Sequence, residues 1–306
     1  MKRIHDHGEV IAIDSFMRGW EGITAVYYLP SERPAIIETA PTSSLDHVLK
    51  GFEEAGVTDL EWIVLTHIHL DHAGAVGHMA ERFPKARIVV REEGAPHLVD
   101  PSRLWASAAR LYPDIDQVWG PMKPLDKDRI DVISSDGPVA DLGGGRVLEA
   151  IYAPGHAKHQ MALLDTSRGD IFVGDAIGVY LPDAGVIRPA TPPPEFDREI
   201  SIETIEKLKA IGAERVFPTH FGPVPDPDAA YDEAAERIRS WVATAESVTE
   251  GGGSVDDVTE AFVQQARIDY AHLSREVMDK LEETTSYALN AAGITRYLAK
   301  RTEAPH

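Results

Sequence analysis

Four side chains able to bind a metal ion fall within six positions, His67-Ile68-His69-Leu70-Asp71-His72, directly behind the apolar run Trp62 to Thr66. A run of that length and composition reads as a strand. The strand delivers the four polar side chains onto the loop at its end, where functional groups are usually carried. In an extended loop His67 and His69, two apart, point the same way, while Asp71 and His72 continue round to face a neighbouring point. That spacing suits two adjacent cations. The chain contains no cysteine, which excludes disulfides, thiolate ligands and thiol nucleophiles and leaves imidazole and carboxylate to hold any metal. Such donors suit zinc first, and also iron or manganese.

The rest of the chain repeats the same placement. Ahead of the loop, Val10 to Ile13, Ile23 to Leu29 and Ala35 to Ile37 have strand length and read as a β-meander. A helix is expected from Leu45 to Ala55, capped by Ser43 or Ser44, stopped at Gly56, and with Val48 and Phe52 on one face. Further strands are expected at Ile88 to Val90, Val147 to Tyr152, Met161 to Leu164, Ile171 to Val173 and Val216 to Phe217. His156, Asp175 and His220 each follow shortly after one of these. Ser201 to Ile211 carries apolar residues at helical spacing. Strands and helices alternate, so the fold class is α/β. From about Asp228 the pattern is wholly helical, interrupted at Gly251-Gly252-Gly253 and resumed behind Ser254, a good N-cap. The expected organisation is a catalytic domain over residues 1–227 and a helical C-terminal region over residues 228–306.

At this point the sequence resembles the metallo-β-lactamase superfamily. Thr66 to Gly74 looks like its HxHxDH signature, and Ala153-Pro154-Gly155-His156, Gly174-Asp175 and Phe217-Pro218-Thr219-His220-Phe221-Gly222 follow in the family's order. The resemblance implies a four-layer αββα sandwich with a helical C-terminal appendage. It implies one metal held by His67, His69 and His156, a second held by Asp71, His72 and His220, and Asp175 bridging the two. It departs at Glu38, where many relatives carry an aspartate; Glu38 is expected to support the metal loop through hydrogen bonds.

Two divalent cations about 3.5 to 4 Å apart lower the pKa of a bridging water toward neutrality and leave one ion free to polarise a carbonyl or phosphoryl oxygen. Asp71 is the expected proton carrier beside that hydroxide, and Tyr180 a candidate hydrogen-bond donor to the substrate. His159, three residues after His156, reads as a solvated or locally hydrogen-bonded residue, with a supporting partner of the metal site as the alternative, and His5, His7 and His306 read as tail residues. His47, His78, His97 and His272 have no partner at ligand spacing. Pro101 to Leu125 reads as a lid or packed insertion whose Trp105, Tyr112 and Trp119 could line an apolar pocket, and Gly178 to Phe196, containing Arg188 and five prolines, as a second wall.

The bridging aspartate also sorts functions. Members that hydrolyse β-lactams generally lack it, whereas glyoxalase II-type thioesterases, lactonases and phosphotriester-cleaving relatives retain it. The nucleases retain it too, but 30 basic against 50 acidic residues, a formal charge of -20, repel phosphate backbones and anionic lipid. The expectation is hydrolysis of a small ester, lactone or thioester, with phosphotriester or phosphodiester cleavage in the same site as an alternative. Iron-dependent persulfide dioxygenase chemistry is the alternative from another class; flavodiiron proteins fit less well, since they usually carry glutamate where His69 stands. The expected partner is a small molecule, with neither nucleic acid nor membrane. The C-terminal helices are expected to cap the cleft or form a homodimer interface. No stretch has signal-peptide character, so a cytoplasmic location is the expectation.

Overall fold

The computed structural model describes residues 2–112 and 114–303. Seven strands form the first sheet in chain order: β1 (Ile4–Asp6), β2 (Ile11–Asp14), β3 (Ala25–Leu29), β4 (Ala35–Ile37), β5 (Trp62–Val64), β6 (Arg87–Arg91) and β7 (Ile130–Ile133). The β1 to β4 meander is antiparallel. From β4 to β7 the pairing is parallel, which requires crossovers and therefore helices on the sheet's face. The second sheet places β8 (Gly137–Gly143), β9 (Arg146–Tyr152), β10 (Met161–Asp165), β11 (Asp170–Gly174) and β14 (Arg215–Pro218) side by side, while β12 (Val179–Leu181) and β13 (Val186–Arg188) form a separate hairpin.

The central strands of each sheet are buried on both faces. Between them, Tyr27, Leu29, Ile37, Val64 and Val89 of the first sheet meet Leu148, Met161, Leu163, Phe172 and Phe217 of the second. The outer face of the first sheet is covered by α1 (Leu45–Ala55), the short α2 (Leu70–Ala73), α3 (Val76–Arg82) and α4 (Ala95–Val99): Val48, Phe52, Val76, Met79 and Leu98 pack on Ile13, Ile36, Ile63 and Ile88. Between α4 and β7 lie α5 (Ser102–Ala108) and α6 (Ile115–Val118). The outer face of the second sheet is covered by α7 (Arg198–Lys209) and α8 (Pro227–Glu250), through Ile205, Leu208, Ala234 and Ile238 on Ile171, Val173 and Val216. The αββα sandwich implied by the sequence is therefore the fold.

Beyond α8 follow α9 (Val255–Asp269), α10 (Arg275–Thr284) and α11 (Tyr287–Glu303). Their buried Val258, Phe262, Leu281, Ala291 and Ile294 belong to the same apolar cluster as the outer face of the second sheet. These helices thus thicken one outer layer. Ser254 caps α9 as its residue type predicts, with a reciprocal bond to Asp257. α1 has the expected bounds and ends at Gly56 with φ 72°, but Ser44 makes no side-chain cap bond, and the Ser43 hydroxyl donates instead to the Val118 carbonyl. His5 and His7 are not tail residues: β1 pairs with β2 and sets their rings against Phe221 and Phe217. His306 lies outside the described residues.

Candidate metal centre

The ligand-type side chains gather at one end of the sandwich, each where a strand ends. His67 and His69 follow β5, and His69 immediately precedes α2, so Asp71 and His72 occupy the first helical turn. His156 follows β9, Asp175 follows β11 and His220 follows β14. The end of β11 can pass close to Thr66 because the residue before Asp175 is glycine. Gly174 has φ 55°, and a Cβ there would lie 2.6 Å from the Thr66 hydroxyl oxygen.

Two sets of three emerge. His67 Nε2 and His156 Nε2 lie 3.0 and 2.9 Å from His69 Nδ1. A tetrahedral metal with nitrogen ligands at 2.0–2.1 Å has ligand edges of about 3.4 Å, so the set needs only slight opening to receive an ion. In the second set, Asp71 Oδ2 lies 3.5 Å from His72 Nε2 and 3.3 Å from His220 Nε2. Asp175 touches both sets, with Oδ2 at 3.6 Å from His156 Nε2 and Oδ1 at 3.3 and 3.6 Å from His72 and His220 Nε2. His72 Nε2 and Asp175 Oδ1 are buried and make no directed hydrogen bond. Buried polar atoms are rarely left so, and a shared cation is the partner that this donor set fits.

The outward-facing nitrogens are held by the fold. His67 Nδ1 is 3.0 Å from the Thr66 hydroxyl, His72 Nδ1 3.2 Å from Glu38, His156 Nδ1 2.8 Å from the Ala190 carbonyl, and His220 Nδ1 3.0 Å from the Ile23 carbonyl. A carbonyl only accepts, so Nδ1 of His156 and His220 carries the proton and Nε2 presents its lone pair inward. Glu38 is the hub beneath the loop. It is fully buried, has φ 69° just past β4, and accepts from the hydroxyls of Thr66 and Thr219 as well as facing His72. The left-handed backbone aims this side chain under the metal loop, a strain of the kind found at functional sites.

The two sets differ electrically. His67 is held well below the ordinary imidazole value, and His69 is pushed down to about 3; burial is the main cause, with neighbouring histidines adding to it. Burial also lowers His156, against the pull of Asp175. For His72 and His220 burial acts in the same direction, but Asp175 and Asp71 outweigh it and raise both. Burial opposes ionisation of Asp71, yet His72 and His220 bring it down to about 2; Asp175 is lowered further by His72, His220 and His156.

A cavity of about 290 Å³ opens over the centre. Its walls come from both segments singled out in the sequence. Leu104, Ala108, Leu111, Tyr112 and Trp119 supply one side, and Ala190 with Pro192 to Pro194 the other, joined by Thr284 and Thr285 at the end of α10 and Leu289 in the first turn of α11. Trp105 does not line it and packs on the core.

All seven expected ligands converge, but Tyr180 does not reach the cavity. Its neighbour Val179 lines the wall, whereas the Tyr180 phenol lies on the side of Asp183 and Glu233, which with burial raise its pKa. Tyr112 is the phenol on the cavity side: burial and then Asp71 push its pKa up to about 12, so it stays protonated. His159, expected to be solvated or locally bonded, is buried and takes the Ile68 amide on Nδ1 at 3.4 Å, fixing the loop between His67 and His69. Its three-residue spacing from His156 was the only trace of this in the sequence.

Comparison with known proteins gives the same assignment. The sequence pattern described as the metallo-beta-lactamase superfamily matches residues 18–220. A metallo-beta-lactamase fold-containing protein, ST1585, of Sulfurisphaera tokodaii is 34% identical over 152 residues, 48% of this chain and 55% of that one. An N-acyl homoserine lactonase, AttM, of Rhizobium radiobacter is 28% identical over 164 residues, 52% of this chain and 53% of the relative. The matched regions thus span about half the length of these curated relatives. Among solved structures, that of ST1585 superposes with a TM-score of 0.61 at 28% identity, covering 71% of this chain and 80% of the other. A metallo-beta-lactamase family protein from Thermus thermophilus, TTHA1429, gives 0.61 at 20% identity, covering 91% and 89%, a likeness of fold alone.

Proposed function

The chain belongs to the metallo-β-lactamase superfamily, and from that premise we propose that it is a binuclear metal-dependent hydrolase of a small carboxylic ester, lactone or thioester. The observation that carries this reading is the Asp175 carboxylate, which turns one oxygen to each set of histidines. His67, His69 and His156 would hold one divalent ion and Asp71, His72 and His220 the other, with zinc the first choice among metals that take nitrogen and oxygen donors. When bound, such a pair supplies Lewis acidity and a water activated for attack at neutral pH.

The protein's own residues divide the remaining work. Asp71 is held ionised by His72 and His220, so it accepts a hydrogen bond from the attacking water and passes a proton on to the leaving group. Tyr112 keeps its proton and donates to a substrate oxygen. Leu104, Ala108, Leu111 and Trp119 on one side and Leu289 on the other receive the apolar part of an acyl or lactone substrate and keep water from it. The relatives named N-acyl homoserine lactonase agree with an ester-type bond beside an apolar chain.

The test is a set of initial rates on lactones, aliphatic and aryl esters, thioesters and phosphotriesters, using zinc-reconstituted protein beside Asp71→Asn. We expect one carboxylic class to be turned over, with kcat/KM reduced on the order of 10³-fold in the variant, the scale of losing a positioned acid–base and metal-holding group. Absence of cleavage by fully metallated protein, or equal rates in the variant, contradicts the reading. A preference for phosphotriesters would keep the site and change the substrate class.

A further inference from the structure

His156 depends on a carbonyl that is not itself fixed by any sheet. Ala190 O, which receives the His156 Nδ1 proton at 2.8 Å, lies just beyond β13 in the segment running to Pro194. What fixes that segment is the C-terminal layer. The Arg188 guanidinium reaches Glu282 at 2.8 Å, the Thr285 hydroxyl donates to Pro189 O at 3.2 Å, and Lys300 Nζ donates to Pro194 O at 2.7 Å. Asn290 grips the residue next to Ala190: its Oδ1 accepts from the Thr191 amide at 2.8 Å and from the Thr191 hydroxyl at 2.7 Å. Its Nδ2 donates to Thr285 Oγ1 at 2.7 Å and to Ser286 O at 2.9 Å.

Asn290 is fully buried and its amide is fully engaged. A buried amide satisfied on both ends holds its partners in one geometry, since losing any bond leaves a polar atom without a partner. Gly293, one helical turn on, presses the backbone of α11 against the same segment. A Cβ at that position would lie 1.7 Å from Thr191 O. The clamp therefore fits by hydrogen bonds at Asn290 and by close backbone approach at Gly293.

We propose that Asn290, with Gly293, is a positioning residue for the first metal set: through Thr191 and Ala190 it fixes the tautomer and ring orientation of His156. The C-terminal helices then take part in metal binding, although none of the seven ligands comes from them. The inference rests on the metal-centre reading above. Groups that hold a metal-bound histidine in place typically alter affinity by about 10- to 100-fold when removed, and a residue acting one bond further out belongs at the lower end, about 10-fold.

The experiment measures the affinity of each of two zinc equivalents, by chelator competition, for metal-stripped wild type, Asn290→Ala and Val258→Ala. Val258 is buried in α9 within the same apolar cluster, so its truncation destabilises the layer without removing any of the clamp's hydrogen bonds. We expect two equivalents in the wild type, one of them weakened about 10-fold in Asn290→Ala and neither weakened in Val258→Ala. If Asn290→Ala does not fold, Thr191→Val, which removes only the hydroxyl bond, should weaken the same equivalent by a smaller factor. Unchanged affinities in the clamp variants, or equal weakening of both equivalents in all variants, overturn the inference while the metal reading survives. A wild type that binds no zinc overturns both.

Discussion

The two halves of the candidate metal centre are built on different foundations. His72 and His220 are held from the ends of first-sheet strands, by Glu38 just past β4 and by the Ile23 carbonyl just ahead of β3, and they face two carboxylates. His67, His69 and His156 face mostly one another, and His156 is held from a segment that hangs on the C-terminal helices. One set of side chains is therefore held wholly from the ends of sandwich strands, whereas the other has one member, His156, that leans on a layer added outside the sandwich. Divergence in that layer reshapes the cavity wall and one metal set together, because residues 190–194 serve both.

The contrast can be broken most directly at Glu38. Glu38→Gln keeps the shape but turns one acceptor into a donor among Thr66, Thr219 and His72, so the His72 set, which Glu38 faces directly, should lose about 10- to 100-fold in zinc affinity, and the first set, which Glu38 reaches only through the Thr66 hydroxyl beside His67, should lose less. Stability should fall by about 1 to 3 kcal/mol, the cost of an unsatisfied buried group, readable in denaturant melts. Equal weakening of both sets would show that the halves are not independently supported.

Tyr112→Phe sharpens the assignment of the cavity. It should lower kcat/KM by about 10-fold with metal content unchanged, as expected for one donor to a substrate oxygen. Tyr180→Phe, whose phenol lies on the side of Asp183 and Glu233, should leave kcat/KM unchanged. The reverse pattern would return the role to Tyr180.

A smaller effect separates the halves by pH in metal-stripped protein. His67, His69 and His156 have lowered pKa values, so the folded state binds fewer protons than the unfolded chain, whose imidazoles titrate near about 6.5. Their contribution is present above that value and is lost as pH falls below it. His72 and His220 are raised, so theirs is present below about 6.5 and lost as pH rises through the folded values. The Tm should fall by a few degrees on either side, on the order of 2–4 °C per kcal/mol for a chain of this size. His69→Gln should flatten the acid side and His220→Gln the alkaline side. Identical profiles for the two variants would dissolve the distinction.

Much of this was readable from residue order. The HxHxDH loop, its strand and the three later ligands have local signatures, and α1 and α9 have stop and cap residues at the observed positions. Other parts left little trace. β8 contains Gly137, Pro138 and Gly143, and β7 exposes Val132, so these edge strands lack an apolar run. Tyr180 and Val179 differ only in the face of β12 on which they fall, which a three-residue strand does not declare. Asn290 is 99 residues from Thr191, and an asparagine in an Ala-rich helix has no local pattern to mark it. Helical periodicity reveals that α8 to α11 bury an apolar face, but only the fold shows that the face lies on the second sheet.

The most direct test of the central claim is an electron paramagnetic resonance spectrum of manganese(II)-reconstituted protein. If Asp175 joins two ions in one site, the spectrum should be that of an exchange-coupled pair at two equivalents, and the coupling should vanish in Asp175→Ala. Two equivalents giving only isolated-ion signals, or saturation at a single equivalent, would contradict the binuclear account.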